Sequence, residues 1–285
     1  MPQHCGAGKA LRGTAFSTFR VNGSPVPGEL IIAAISSTDT KALHFLTYAV
    51  ARTVPGKIWP DFQAPLEELL KTAEVVSFEE LAMGVTASKR VYLKKGEFEL
   101  KAIWRPSRPA GDEVKGDDQA EAAAYKLDKI LGLNMVPPTV ERLIEGRRGS
   151  IQLWINSCKT YAQLKRETPT TSEWNHQVAR MNLFDTFIGN SARNAGNILV
   201  DANWEIVLFD HSRCFSIETE LRNPPAQFDR RLVTRLRALR EDELQARMKS
   251  SLGKEEIRNL LKRRDALMAH LAKLVAEKGE AAVLF

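Results

Sequence analysis

The chain has 285 residues, 44% hydrophobic and 27% charged, a composition that supports a fully cored protein and excludes collagen, mucin-like stalks and wholesale disorder. Its 41 basic against 35 acidic side chains leave +6 with neutral histidines, a mild excess that favours an anionic ligand without implying nucleic acid. Cys5, Cys158 and Cys214 lie too far apart for a disulfide framework or a CxxC zinc site, and no apolar run reaches the roughly 18 to 20 residues of a spanning helix.

Residues 1–60 scatter Gly and Pro without a sustained period and read as a poorly ordered extension with a short helix near 40–52. Gly6, Gly8 and Lys9 fail as a phosphate loop, because the upstream glycine is missing and Ala10 stands where Ser or Thr would hold magnesium. Residues 42–51 (ALHFLTYAVA) end in a small-x-small pattern like a signal-peptidase site, preceded by about forty residues. The compartment therefore stays open: cytoplasmic as written, extracytoplasmic if the true start lies further on.

From Leu66 the texture tightens. LEELLKTAEVV over 66–76 reads as helix, and the β-like runs 89–94 and 97–104 flank Lys95-Gly96 as a hairpin. After a Pro- and Gly-studded stretch over 106–116, Asp117 or Asp118 caps a helix that places Ala120, Ala123, Ala124, Leu127, Ile130 and Leu131 on one face, and Gly132 ends it. Residues 135–142 read as a strand, Glu145-Gly146 as a turn, and 150–156 as the next strand. Beyond Trp174 the pattern turns helical, over 176–188, 230–239 and 254–278. Basic side chains at Arg230, Arg231, Arg235, Arg237, Arg240, Lys262, Arg263 and Arg264 read as the solvated faces of packed helices. No RNA-reading aromatic pattern or DNA-binding motif accompanies them, so no nucleic-acid partner is expected.

The chemistry gathers at DTFIGNSARNAGN over 185–197, which closes a helix and opens a polar loop. Residues 198–200 and 205–209 then form a hairpin around Asp201-Ala202-Asn203 that delivers Asp210 beside Asn197. An amide oxygen and a carboxylate at the open ends of one hairpin make an oxygen pair suited to magnesium or manganese held against nucleotide phosphates. Arg193 reads as a pairing residue within the loop, and His211 as a hydrogen-bonder that orients it. Gly84, in MGVT at 83–86, offers a place for backbone to approach phosphates.

AIWRP at 102–106, AEAAAYKLDKILGLNMVPPTVER at 120–142, FDTFIGNSARN at 184–194 and LFDHSRCF at 208–215 occur in one order. Together they resemble the atypical protein kinases related to the secretory-pathway Golgi casein kinase and their bacterial relatives, and more distantly HipA-like and phosphoinositide-type kinases. The resemblance spans roughly residues 80–215, with the Leu-Gly-x-x-x-Val-Pro-Pro segment its most specific part. It implies an α+β, two-lobe protein-kinase-like fold: an N-terminal segment over 1–60, a small β-rich N-lobe over 61–148 and a helical C-lobe over 149–285, with a connection near 152–156. It also implies ATP and Mg or Mn as cofactors, and a protein substrate or regulated protein partner.

In that family a strand lysine before proline contacts the phosphates, a helix glutamate supports lysine or metal, a loop aspartate is the catalytic base, and a later asparagine and aspartate bind metal. Glu121, Asn197 and Asp210 match. Arg105 stands at the lysine position, keeping the charge but exchanging a compact ammonium for a planar fork. Ala192 stands at the base position and accepts no proton. Losing a positioned base costs about 10² to 10⁴ in rate, so the resemblance implies a pseudokinase with weakened or absent transfer; an active kinase acting on a protein hydroxyl is the alternative. Asp185 is too far along its helix to substitute, and Lys101 lies about 13 Å along the strand from Arg105 at ~3.3 Å per residue.

Overall fold

A computed structural model describes residues 20–21, 24–25, 57, 59–60, 63–81, 88–96, 98–107, 117–156, 158–164 and 167–285. The chain divides into two compact units, Met1–Val54 and Pro55–Phe285. Of the first, the described part is an antiparallel pair of two-residue strands, Arg20–Val21 and Ser24–Pro25. The helix expected near 40–52 and the Gly6, Gly8, Lys9 cluster lie outside the described residues, as does Gly84 in the second unit.

The second unit begins its regular structure with α1 (Gln63–Thr72), which buries Leu66, Leu69 and Leu70. The helix expected over 66–76 stops at Thr72, because Val75 and Val76 are β-branched and enter strand β1 (Glu74–Glu80) instead. β2 (Lys89–Lys95) and β3 (Phe98–Pro106) follow, turned at Gly96 with φ 61°. Helix α2 (Asp117–Leu131) then crosses to β4 (Thr139–Ile144) and β5 (Arg147–Leu153). The β4–β5 turn uses Glu145 and Gly146, both at positive φ, as a two-residue hairpin requires. All five strands pair antiparallel in the order β1-β2-β3-β5-β4. The division expected at residue 148 falls inside β5, whose pairing with β3 runs on to Leu153 opposite Ala102. Gly149 permits that pairing: a Cβ there would lie 2.3 Å from the Arg105 carbonyl and 2.5 Å from the Trp104 ring.

The strand expected from Met135 begins only at Thr139. Asp128, fully buried near the end of α2, accepts the N–H groups of Asn134, Met135 and Val136 at 3.0, 2.8 and 2.9 Å, so these residues wrap the helix end rather than join the sheet. Burial pushes the Asp128 carboxyl up to about 7, against the three donors that favour its charged form.

The remaining elements are β6 (Lys159–Thr160), a 3₁₀ turn (Tyr161–Gln163), α3 (Ser172–Ile188), β7 (Ile198–Val200) and β8 (Ile206–Leu208). They are followed by α4 (Arg230–Ala238), α5 (Glu241–Met248), α6 (Lys254–Lys278) and α7 (Glu280–Val283). Residues 254–278 make one continuous helix. Leu127 and Leu131 of α2, Phe184 and Phe187 of α3, and Leu260 and Leu267 of α6 share one core cluster, so α2 packs on both the sheet and the helical half. Among the described residues no helix is long and apolar enough to cross a membrane.

Three of the late arginines bond backbone carbonyls, Arg235 from an exposed position, Arg264 half-buried and Arg263 buried. Arg235 donates to the Leu131 carbonyl, Arg264 to Leu239 at 2.6 Å, and Arg263 to Phe187 at 2.9 Å. Each satisfies a carbonyl left over at or near the end of a helix, α2, α4 and α3 in turn. Arg263 is buried, and burial lowers its guanidinium to about 10.

Candidate functional site

Helix α3 ends in a left-handed Gly189 (φ 66°), with Gly189 N–H on the Thr186 carbonyl and Asn190 N–H on that of Asp185 at 2.8 Å. This paired closure turns the chain sharply into the polar loop. The Asp185 carboxylate is taken up within the loop: Arg193 Nε and Nη2 donate to its two oxygens at 2.8 and 3.0 Å, and Asn190 Nδ2 adds a third bond at 2.9 Å. Burial works against the Arg193 charge and Asp185 outweighs it, so the guanidinium is held firmly charged. Asp185 is thus a structural acid with no free oxygen aimed at a substrate proton.

The remaining Arg193 nitrogen, Nη1, donates to the carbonyls of Asn197 at 2.9 Å and Phe209 at 2.6 Å. Ile198 and Leu208 are register partners in the β7–β8 hairpin, so these carbonyls belong to the residues just outside its open ends. One guanidinium therefore fixes both ends, and with them the expected ligand positions Asn197 and Asp210. The arginine read from sequence as a pairing residue ties the whole constellation. Ala192 lies partly buried within this frame, its N–H on Asn190 Oδ1 at 3.1 Å.

Asp210 adopts positive φ (58°), and its Oδ1 accepts Ser212 Oγ at 2.8 Å. The Asn197 amide makes no side-chain hydrogen bond among the described residues. An amide oxygen and the second carboxylate oxygen of Asp210 are thus open among the described residues and could serve as ligands, an all-oxygen set that would suit Mg or Mn over a softer metal. Among the described residues no group of three or more His, Cys, Asp or Glu side chains is placed to hold a metal by itself.

The second half of the site is a buried ion cluster. Arg105 on β3 reaches Glu121 Oε1 of α2 through Nε at 3.5 Å and Gln152 Oε1 of β5 through Nη1 at 3.4 Å. Glu121 is completely buried, and His211 meets it twice, backbone N–H to Oε1 at 2.8 Å and Nδ1 to Oε2 at 3.1 Å. Burial would raise the Glu121 carboxyl, but Arg105 and His211 overcome it and hold the group at about 2. An ionised carboxylate only accepts, so Nδ1 carries the proton. Nε2 is buried without a hydrogen-bond partner among the described residues, and the imidazole lies T-shaped to Phe184 with ring centroids 6.4 Å apart. Lys101 stays exposed, 5.7 Å from the Tyr92 ring centre, and does not stand in for an ammonium beside Glu121.

No family model and no curated protein matches the sequence. Solved structures do. Hydra Fam20 with sugar superposes with TM-score 0.64 at 13% identity, covering 92% of this chain and 99% of that one. The Golgi casein kinase superposes at 0.63 and 14% identity over 87% and 82% of the two chains. The chain has a Fam20-like atypical kinase fold. A third structure, the Golgi casein kinase with Mn and ADP bound, gives 0.60 at 12% identity over 89% and 85%. Within the Fam20-like fold, the structure brings Arg105 and Glu121 into one cluster and sets Asn197 and Asp210 at one hairpin mouth, while His211 links the two. Reading the sequence missed two contacts, Gln152 on Arg105 and His211 on Glu121. The adjacency of His211 to Asp210 was the one signal for the second.

Proposed function

We propose that this protein is a pseudokinase that binds ATP and a divalent metal, Mg or Mn, between an N-lobe and a helical C-lobe, and regulates or scaffolds a protein partner. The observation that carries this reading is the loop around Ala192. Every charged side chain in it is committed to the frame, with Asp185 and Arg193 locked together, so the reacting position holds a methyl group and no carboxylate. The Arg105 guanidinium is likewise drawn toward Glu121 and Gln152, which leaves a phosphate-facing role to one edge of the fork at most. Asn197 and Asp210 would hold the cation, which when bound would neutralise phosphate charge. The binding of Mn and ADP by a structural neighbour supports the cofactor class.

The open oxygens at Asn197 and Asp210 favour one second reading, an active kinase. There the γ-phosphoryl would leave ADP for a protein hydroxyl oxygen, with the hydroxyl proton released to solvent rather than to a side chain. Calorimetric titration with ATP, with and without Mg or Mn, tests the shared premise. Metal-dependent binding that disappears in Asp210→Ala is the expected result, and absence of binding under every condition overturns it. Phosphate transfer by the unaltered protein at rates typical of kinases would favour the second reading.

A further inference from the structure

We propose that His211 is the positioning residue of the metal site, a buried latch through which Glu121 of α2 fixes the backbone of Asp210. The inference rests on the nucleotide reading above and goes beyond it by assigning a role to a side chain that touches neither metal nor nucleotide.

The geometry is specific. Asp210 holds a left-handed φ of 58°, uncommon for a non-glycine residue although Asp tolerates it better than most. The next peptide N–H is bonded to Glu121 Oε1, and the ring of the same residue returns to Oε2, so one carboxylate takes two bonds from His211 and pins the chain immediately after Asp210. On the other side, Arg193 grips the Phe209 carbonyl. Asp210 is therefore held from both flanks, once by the loop arginine and once by the sheet-side helix. Both His211 and Glu121 are fully buried, so no water competes for these bonds. Glu121 has the Arg105 guanidinium as its remaining neighbour, and its two oxygens are engaged from within the protein. It acts here as an anchor for the loop.

The unpartnered Nε2 gives the test its discrimination. Only the Nδ1 position of the ring is used, and the amide nitrogen of Asn sits where Nδ1 does, whereas that of Gln sits one bond further out. His211→Asn is expected to keep the affinity for Mn and ADP within about threefold of the unaltered protein, while His211→Gln and His211→Leu lose about tenfold or more, the worth of one buried charge-assisted hydrogen bond. Hydrogen exchange of the backbone amides over 209–215, measured without nucleotide, is expected to quicken in the Gln and Leu proteins and to stay slow in the Asn protein. Should Leu fail to fold, the Asn and Gln pair still decides, since both keep a polar amide. Equal affinity and equal exchange across the three variants would overturn the latch. If the unaltered protein binds no Mn and ADP, the nucleotide reading falls, and the exchange pattern alone then upholds or refutes the latch.

Discussion

Two halves of the site have opposite characters. The cluster of Arg105, Glu121 and His211 is closed, almost without solvent, and built from an ion pair and an imidazole that satisfy one another across β3, α2 and the loop after β8. The loop around Ala192 is partly open and equally well ordered by Asp185 and Arg193, and on the proposed reading it lacks the group that would take a reacting proton. A buried ion cluster cannot lose a member cheaply, because the survivors are stranded as unpaired charge. A base in a half-exposed loop supports no packing, so its loss leaves the fold intact. On the pseudokinase reading proposed above, the contrast explains how a chain keeps a kinase-like fold while the position assigned to the base is alanine.

Breaking the closed half should produce the largest effect. Glu121→Ala strands Arg105 and removes both acceptors of His211, and a loss of about 3 to 5 kcal/mol is expected in chemical denaturation. The same carboxylate imposes a pH dependence. Its native value of about 2 lies below the ordinary 4.5, so between those values the unfolded chain binds more protons. The stabilisation it gives is complete above about pH 4.5 and disappears as pH falls through about 2, amounting to about 3 kcal/mol. Urea midpoints measured across that window should fall with pH, and the slope should flatten in Glu121→Gln. A slope unchanged by that substitution would place the acid sensitivity elsewhere.

How much of this contrast was legible beforehand depends on the distance over which each feature acts. Asn197 and Asp210 were placed correctly at the hairpin mouth, because two short apolar runs around Asp201-Ala202-Asn203 allow little else. Ala192 and Arg105 stood out against motifs that span a few residues. The bond between His211 and Glu121 joins positions 90 apart in sequence, and no local period records it. Helix α5 escaped notice because EDELQARM buries only Leu244 and Met248, too few apolar residues to show a period. The two residues of β6 show none at all. Charge alone reads Arg263 as surface, since it does not reveal that the carbonyls of Phe187, Ser216 and Glu218 converge on it.

A milder intervention tests the frame of the open half. Arg193→Lys retains the charge but cannot bond Asp185 with two nitrogens while also reaching the Asn197 and Phe209 carbonyls. A stability loss of about 1 to 2 kcal/mol is expected, smaller than at Glu121, together with weaker Mn binding because both hairpin ends loosen. Unchanged Mn affinity would mean that the hairpin alone fixes Asn197 and Asp210.

The smallest effect on stability should come from the position at which the proposed reading sets the missing base. Ala192 is partly exposed and contributes only its backbone N–H and carbonyl to the loop, both of which aspartate also has. Ala192→Asp should therefore shift stability by no more than about 0.5 kcal/mol. Its consequence for transfer depends on whether the closed half is still poised for phosphate. If Arg105 holds its charge where an ammonium would, a restored base should raise transfer by about 10² to 10⁴, read as labelled phosphate moved from ATP to a generic protein acceptor. If the fork of Arg105 is spent on Glu121 and Gln152, the carboxylate will bring no gain by itself, and transfer will appear only in the double variant with Arg105→Lys. Silence in both variants, with ATP still bound, would mean that the closed cluster now serves only to hold the loop in place.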